Sequence, residues 1–294
     1  MERGAIPVDA IPGGFDLQAT VESGQSYLWT RADGRTYETG DARGDSAWYW
    51  TVQNGEVIRI RQVDGALEWE ATTDAEPRLR ELLGLGDDLD AIRVATPADD
   101  LIHAAYDAYR GLRIVRDPFF PCLVSFICSA QMRVARIFGM QAALRETYGA
   151  RIEFGGETYH AFPTPERLAA TTEADLRDLG LGYRAPYVRR TAEMVVAGEA
   201  HPDEACGLEY EAAREYLTQF VGVGQKVADC VLLFSLGYLQ AVPLDTWIHT
   251  AIEEYYPDCE RGNYEATSRA IREQFGGEYA GYAQTYVFHY LRGS

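Results

Sequence analysis

The sequence has 294 residues, 47% of them hydrophobic and 12% aromatic, which suits one large or two ordinary domains and excludes a disordered chain. Its five cysteines are scattered and contain no C-x-x-C, so a disulfide framework and a ribbon-type zinc site are excluded. No apolar run approaches the ~18–20 residues that cross a bilayer, and the N-terminus lacks a signal-peptide pattern. We therefore expect a cytoplasmic protein with no membrane partner.

The charge is strongly acidic, because 45 Asp and Glu residues against 27 Lys and Arg residues give −18. Taken alone, this charge argues against nucleic acid, since phosphate binding usually needs a basic face. Of the basic residues, 26 are arginines and only Lys226 is a lysine. Such a composition indicates a high-salt cytoplasm, where the Debye length falls to about 3 Å at 1 M salt. We therefore expect a halophilic origin, and net charge then says little about partners.

The first third of the chain predicts antiparallel strands. Three segments have strand character: residues 46–52, 57–63 and 66–71. They are joined by Asn54-Gly55 and Asp64-Gly65, which supply the positive φ angles of tight hairpin turns. Residues 15–29 predict another strand or two.

From about residue 98 the pattern becomes helical and stays so. Residues 121–149 form two apolar helical runs with a break at 129–132, and Thr164-Pro165 opens another helix. Thr172 and Asp175 resemble a capping box. Further helices are predicted at 99–110, 183–197, 208–219, 225–236, 245–255, 262–275 and 278–291.

The sequence thus predicts an α+β protein. We expect an N-terminal antiparallel β-sheet domain at residues 1–97, followed by a larger all-α domain at 98–294.

A glycine turn that contains Gly222 and Gly224 separates two helical runs. Glycines at alternate positions let backbone amides approach another chain closely, and the free N–H groups of the next helix suit a phosphodiester. The turn alone is equally typical of an ordinary pair of antiparallel helices.

Lys226 lies in the first turn of the second helix, where the helix dipole disfavours an ammonium and so favours a nucleophilic amine. A surface lysine is the ordinary alternative, but arginine could serve every role here except that of a nucleophile. Asp245 is expected to cap the helix that follows it. A carboxylate held there also suits stabilisation of positive charge on a sugar during displacement at an anomeric carbon.

These motifs resemble a known family. FVGVGQKVADC (220–230) and AVPLDTW (241–247) look like the helix–hairpin–helix, Gly/Pro-rich loop and aspartate signature of the DNA glycosylase superfamily. Further segments look like 8-oxoguanine DNA glycosylases of the eukaryotic type: residues 23–29, 117–140, 158–169, 179–188 and 281–292. The resemblance implies a bifunctional DNA glycosylase and AP lyase that removes 8-oxoguanine opposite cytosine from duplex DNA. We expect a nucleoid-associated monomer with no organic cofactor and no catalytic metal, and hairpin carbonyls that hold a monovalent cation.

The resemblance also implies roles at the damaged base. Lys226 would attack C1′ and form a Schiff base, and Asp245 would support that step electrostatically. Gly24 would offer its carbonyl to the N7 hydrogen that 8-oxoguanine has and guanine lacks. The flipped base would be held by three more residues, two that sandwich it and one that reads its Watson–Crick edge: Cys230, Phe288 and Gln284.

On the partner strand, Tyr183 would wedge into the duplex, and Arg136 and Arg184 would bind the orphaned cytosine. The sequence departs from the family at two positions. Gln131 stands where relatives begin an asparagine run, and Trp247 replaces a phosphate-binding histidine. Each of the residues given a role has an ordinary structural alternative, such as a core position, a turn glycine or a salt-bridge partner.

Three rival functions stay open on the sequence. The first is a glycosylase for another damaged purine, such as an alkylated base or an oxidised adenine. The second is a non-catalytic DNA-binding module, which the solitary lysine disfavours. The third is an acidic interaction protein that ignores DNA, and only the net charge favours it.

Overall fold

The computed structural model describes residues 1–37 and 46–293. The N-terminal part contains the strands β1 (Glu2–Pro7), β2 (Thr30–Arg31), β3 (Tyr49–Gln53), β4 (Glu56–Val63) and β5 (Ala66–Ala71). They form a 5-stranded antiparallel sheet in the order β1-β5-β4-β3-β2. Ile60 pairs with Tyr49 on one side and Trp69 on the other, and all three side chains are buried on the same face.

Tight turns join β3 to β4 and β4 to β5. Asn54 and Gly55 have φ angles of 51° and 79°, and Asp64 and Gly65 have φ angles of 49° and 75°. Two consecutive positive φ angles are what a two-residue hairpin of the mirror-image type requires. The predicted run of three antiparallel strands is therefore confirmed.

The strand prediction for residues 15–29 is wrong, because this segment contains a helix, α1 (Leu17–Glu22). Asp16 caps that helix by accepting a hydrogen bond from the amide of Ala19 at 2.8 Å. Leu17 and Val21, four residues apart, both face the apolar core beneath the sheet. The cap and the helical spacing outweigh the strand propensity of this short segment.

The remaining elements are mostly helices. The helix α2 (Glu76–Leu82) packs in the core under the sheet, whereas the buried residues of α3 (Leu89–Ala95) belong to the helical core. The others are α4 (Asp100–Ala108), α5 (Phe119–Ile127), α6 (Val134–Tyr148), α7 (Pro165–Ala169), α8 (Glu173–Asp178), α9 (Ala185–Val196), α10 (Tyr210–Leu217), α11 (Gln225–Phe234), α12 (Thr246–Tyr255), α13 (Tyr264–Gln274) and α14 (Ala280–Gly293). The capping box of Thr172 and Asp175 is present at the start of α8, as predicted.

A second, 2-stranded antiparallel sheet follows α6, and its strands are β6 (Arg151–Phe154) and β7 (Glu157–His160). Phe154 and Tyr159 of this sheet pack on Val57 of β4, so it extends the N-terminal sheet rather than the helices. The sequence pattern predicts neither this sheet nor β1.

Two large apolar cores hold the fold together, one under the N-terminal sheet and one among the helices. Buried arginines join the two parts. Arg113 is fully buried and donates to the carbonyls of Gly14 and Gly84, and Arg145 donates to the carbonyl of Tyr27 at 2.7 Å. Carbonyls that would otherwise lose their water on burial are thereby satisfied.

The predicted fold class is confirmed, since an antiparallel sheet domain precedes a larger helical domain. Within residues 1–37 and 46–293, no helix combines the length and the apolar character that crossing a membrane requires.

Candidate active site

Lys226 lies in the first turn of α11, directly after the glycine turn that follows α10. Its side chain is half-buried, and Nζ donates to Ser129 Oγ at 3.2 Å. Nζ also lies 5.6 Å from the centre of the Phe126 ring. The amine is therefore held between α11 and the end of α5, with one side against an aromatic face.

Asp245 caps α12, as predicted, and its Oδ1 accepts a hydrogen bond from the amide of Ile248 at 2.9 Å. Burial raises the pKa of the Asp245 carboxyl. The positive charge of Lys226 is the strongest influence in the opposite direction, followed by the amides of Ile248 and Trp247. The two predicted catalytic groups are therefore electrostatically coupled.

A cavity of about 750 Å³ opens between the helices and the N-terminal part. Predicted site residues from separate parts of the chain line it: Gly24, Gln131, Lys226, Cys230, Asp245, Trp247, Gln284 and Phe288. This volume lies within the usual range of small-molecule pockets. The structure thus brings both predicted catalytic residues and all four predicted base-binding residues to one cavity.

Gly24 occupies a position that only glycine fits. Its φ is +96°, and a Cβ there would lie 2.8 Å from Arg292 Nη1 and 3.3 Å from Phe288 Cε1. Both the left-handed backbone and the close packing exclude a side chain. The turn is therefore packed directly against α14, which carries Phe288.

Two buried polar side chains lie deeper in the cavity. Gln284 is 3% exposed, and its Oε1 accepts a hydrogen bond from Thr285 Oγ1 at 3.2 Å. Cys230 is 2% exposed, and burial raises the pKa of its thiol to about 12. The thiol is therefore neutral near pH 7, which suits a packing surface rather than a second nucleophile.

Of the predicted partner-strand residues, Arg184 contacts the lining of the cavity, and Tyr183 packs beside Arg184. Arg184 is buried and donates through Nη2 to the carbonyl of Ala130, which lines the cavity beside Gln131. The Arg184 guanidinium also lies 4.2 Å from the centre of the Tyr183 ring, and Tyr183 is 54% exposed. The structure uses Arg184 to hold the turn, while its contact with a partner base stays a prediction.

Gln131 itself adopts a left-handed backbone with a φ of 54°. This conformation costs a non-glycine residue about 1 kcal/mol, and such strain often occurs at functional sites. The side chain is exposed at the mouth of the cavity.

Two arginines follow Gln131 at the start of α6. Arg133 and Arg136 are exposed, and in the described ranges neither forms an ion pair. The Arg136 guanidinium packs against Gly180, where Nη2 would lie 2.9 Å from an added Cβ atom. Arg136 therefore contacts the loop that carries Tyr183. Many other arginines form ion pairs, for example Arg93 with Asp107. The exposed guanidinium groups of Arg133 and Arg136 therefore give this side of the cavity positive charge, although the protein as a whole is acidic.

The hairpin glycines differ in their roles. Gly222 has a φ of +86°, and a Cβ there would lie 2.7 Å from the Tyr187 ring. Gly224 is extended, with a φ of −94°, and the space around its Cβ position is open. Gly222 is therefore required by the fold of the turn, whereas Gly224 leaves the start of α11 accessible to another chain.

A buried hydrogen-bond network joins the helix of Lys226 to the loop of Asp245. Tyr264 donates to Asp229 Oδ2 at 2.7 Å and accepts a hydrogen bond from the amide of Leu244 at 3.2 Å. Asp229 lies on α11 and is fully buried, and burial raises its pKa to about 6. The network fixes the segments that carry Lys226 and Asp245 relative to each other.

Family models match both parts of the chain. The model of the 8-oxoguanine DNA glycosylase N-terminal domain matches residues 7–123. The model of HhH-GPD superfamily base excision DNA repair proteins matches residues 124–276, more than half of the chain. The chain belongs to the HhH-GPD superfamily of base excision DNA repair proteins.

Similar proteins extend over almost the whole chain. A protein of Methanothermobacter thermautotrophicus named "Probable N-glycosylase/DNA lyase" is 31% identical, over 98% of this chain and 96% of that protein. A structure of MBOgg1 with a low-affinity DNA ligand superposes with a TM-score of 0.84, at 28% identity and 99% coverage of both chains.

The 8-oxoguanine glycosylase/lyase of Clostridium acetobutylicum is known in complex with double-stranded DNA that contains cytosine opposite 8-oxoG. It superposes with a TM-score of 0.82, at 29% identity, and the match covers 95% of this chain and 92% of that one. The predicted resemblance to eukaryotic-type 8-oxoguanine DNA glycosylases is therefore confirmed. The predicted division at residue 97 stays a prediction.

Three further residues line the cavity, although the sequence assigns no role to them. Ser129 holds Lys226, and Arg292 contacts the Gly24 turn. His249 also lines the cavity, one turn into the helix that Asp245 caps and two residues after Trp247. Ser129 and Arg292 lie within the recognised segments 117–140 and 281–292, but no local pattern connects Ser129 with Lys226 or Arg292 with the turn at Gly24.

Proposed function

We propose that this protein excises 8-oxoguanine paired with cytosine from duplex DNA, by way of a Schiff base between Lys226 and the damaged nucleotide. At the level of enzyme class, the protein is a DNA glycosylase with AP lyase activity. The observation that carries the finer proposal is the single cavity that Lys226 shares with Asp245, Gly24 and Phe288.

In the proposed reaction the Lys226 amine attacks C1′ as the bond from C1′ to the base breaks. The base leaves with the bonding electrons and takes up a proton. The Asp245 carboxylate stabilises the positive charge that develops on the sugar. The nitrogen then loses a proton, its lone pair forms the C=N bond as the bond from C1′ to O4′ breaks, and O4′ takes up a proton, which gives the protonated Schiff base. Loss of a C2′ proton then forms a C2′=C3′ double bond and expels the 3′ phosphate, which cleaves the strand. The hydrogen bond from Lys226 Nζ to Ser129 supports this role, because it orients the amine at the cavity.

Selection of 8-oxoguanine is proposed to depend on the carbonyl of Gly24. In 8-oxoguanine N7 carries a hydrogen that this carbonyl can accept, whereas in guanine the N7 lone pair would face the carbonyl oxygen. A buried acceptor left without its donor penalises the wrong base strongly. Cys230 and Phe288 would enclose the base, and Gln284 would read its Watson–Crick edge.

Binding of duplex DNA is supported by the rim of the cavity. The exposed Tyr183 ring suits insertion into the base stack, and Gln131 suits the gap that a flipped base leaves. Arg133 and Arg136, which form no ion pair with any described residue, offer positive charge for phosphates or for the orphaned cytosine. We propose that the protein acts on DNA as a monomer.

We propose that the chemistry needs no organic cofactor and no catalytic metal. The carbonyl of Phe220 accepts a hydrogen bond from the Val223 amide at 3.0 Å, and that of Val221 accepts one from Thr191 at 3.3 Å. Each oxygen keeps a second lone pair, so the turn fits a monovalent cation that would bind a DNA phosphate.

A panel of duplexes tests the proposal. Single-turnover excision in molar potassium chloride is measured with 8-oxoguanine opposite cytosine, 8-oxoguanine opposite adenine, 3-methyladenine and undamaged guanine. We expect 8-oxoguanine opposite cytosine to react fastest, by at least tenfold over either other lesion. Faster release of 3-methyladenine than of 8-oxoguanine would show that an alkylated purine is the substrate. Equal rates for 8-oxoguanine opposite cytosine and opposite adenine would show that the protein has no preference for cytosine.

A further inference from the structure

The turn that precedes Gly24 is held by a charged donor from the other end of the chain. Arg292, in the last turn of α14, donates through Nη1 to the carbonyl of Ser23 at 2.9 Å and through Nη2 to that of Glu22 at 2.8 Å. A guanidinium presents its donors in a fixed planar fork, so two adjacent carbonyls bound by one fork are fixed in orientation. The next carbonyl along the chain is that of Gly24.

Arg292 is itself fixed from the side opposite the turn. His289 Nδ1 lies 3.1 Å from Arg292 Nη2, and the His289 ring packs on Tyr109 with 4.2 Å between ring centres. Burial, assisted by the Arg292 charge, lowers the pKa of His289 to about 3. The imidazole is therefore neutral near pH 7, and its Nδ1 is free to accept a hydrogen bond from the guanidinium.

The same guanidinium contacts the proposed base-stacking ring. Arg292 Cζ lies 5.5 Å from the centre of the Phe288 ring, and Arg292 lines the cavity. The side chain of Glu22 is anchored separately, since its carboxylate accepts a hydrogen bond from Tyr49 at 2.6 Å. The turn is thus pinned to the sheet by the Glu22 side chain and to α14 by Arg292.

We propose that Arg292 is a positioning residue for substrate discrimination, which sets both the Gly24 carbonyl and the Phe288 ring against the flipped base. The inference rests on the proposed function. Cleavage at an abasic site needs neither group, because no base occupies the cavity in that reaction. Loss of Arg292 therefore lowers excision of 8-oxoguanine much more than cleavage of abasic DNA.

The test compares two rates for each variant, 8-oxoguanine excision and abasic-site cleavage. Arg292→Met removes every donor at similar length, and we expect the ratio of the two rates to fall at least tenfold. Arg292→Lys keeps the charge but lacks the planar fork, and its ratio should be intermediate. Arg110→Met, at an exposed arginine after α4, is the matched control and should leave the ratio unchanged.

A second pair of variants tests the inference if Arg292→Met does not fold. His289→Phe keeps an aromatic ring beside Tyr109 but removes the hydrogen-bond acceptor for Arg292, so the ratio of excision to abasic-site cleavage should fall. His289→Gln keeps an acceptor, so its ratio should stay near that of the wild type. An unchanged ratio, or equal loss in both reactions, would overturn the inference. A wild-type protein that cleaves abasic DNA but ignores 8-oxoguanine would overturn the proposed function instead.

Discussion

Asp245 caps a helix and is proposed to stabilise positive charge during excision, and one substitution separates these two roles. Its carboxylate caps α12 through the Ile248 amide, and burial raises its pKa. Because the pKa of this carboxyl is higher in the folded state than in the unfolded state, its ionisation destabilises the fold. The destabilisation grows as the pH rises from the unfolded pKa to the folded pKa and is complete above the folded pKa. Asparagine is as good a cap as aspartate and carries no charge.

Asp245→Asn should therefore fold at least as stably as the wild type near pH 7. Its excision rate should nevertheless fall by about 100- to 1000-fold, which corresponds to about 3–4 kcal/mol for one lost electrostatic stabiliser of a transition state. Asp245→Ala loses the cap as well, at about 1 kcal/mol. In a chain of this size that loss lowers the unfolding temperature by about 2–4 °C.

Thermal unfolding and single-turnover excision are measured on the same preparations. Asp88 provides the matched control, because it caps α3 by accepting from the Ala91 amide at 3.0 Å and is exposed. Asp88→Asn and Asp88→Ala should affect excision less than twofold. Excision by Asp245→Asn at more than a tenth of the wild-type rate, or destabilisation equal to that of Asp245→Ala, would refute the reasoning.

Three further predictions follow from charge and from backbone geometry. Because burial raises the pKa of Asp245 and the carboxylate must be ionised, activity should be lost on acidification at a pH above the ordinary aspartate value of about 4. A pH–rate profile checks this, and an acid limb at or below pH 4 speaks against it. Gly222→Ala should destabilise the fold by at least about 1 kcal/mol, because it forces a side chain into a φ of +86° and against Tyr187. Gly224→Ala, where the space is open, should leave the unfolding temperature unchanged within error, and equal melting of both variants would contradict the assignment. Raising potassium chloride from 0.1 to 2 M should raise the unfolding temperature, since salt screens the self-repulsion of a chain with charge −18; a fall would count against a salt-adapted origin.

Local sequence signals predict the elements whose determinants lie within a few residues. The hairpin turns follow from Asn54-Gly55 and Asp64-Gly65, because consecutive positive φ angles are accessible to few residue types. The cap at Asp245 follows from a short-range hydrogen bond to an amide three residues away. Such interactions need no knowledge of the rest of the fold.

Features that depend on distant contacts were missed. The helix α1 has a local cap at Asp16, but the choice between helix and strand here also depends on the packing of Leu17 and Val21 beneath the sheet, which is a distant contact. Arg292 ends the recognised segment 281–292, but nothing in that segment indicates that it binds carbonyls at the opposite end of the chain. The residues at the cavity were predicted because a family resemblance carries long-range information that periodicity and composition lack.

Borohydride trapping tests the central claim most directly. The substrate is a duplex with one 8-oxoguanine opposite cytosine in molar potassium chloride, with an undamaged duplex and the Lys226→Gln protein alongside. Glutamine keeps a donor for Ser129, so the variant tests the amine rather than the packing. We predict a covalent adduct only for the wild type with the lesion. An adduct that persists in Lys226→Gln, or no adduct despite excision by the wild type, would contradict the assignment of Lys226 as the nucleophile.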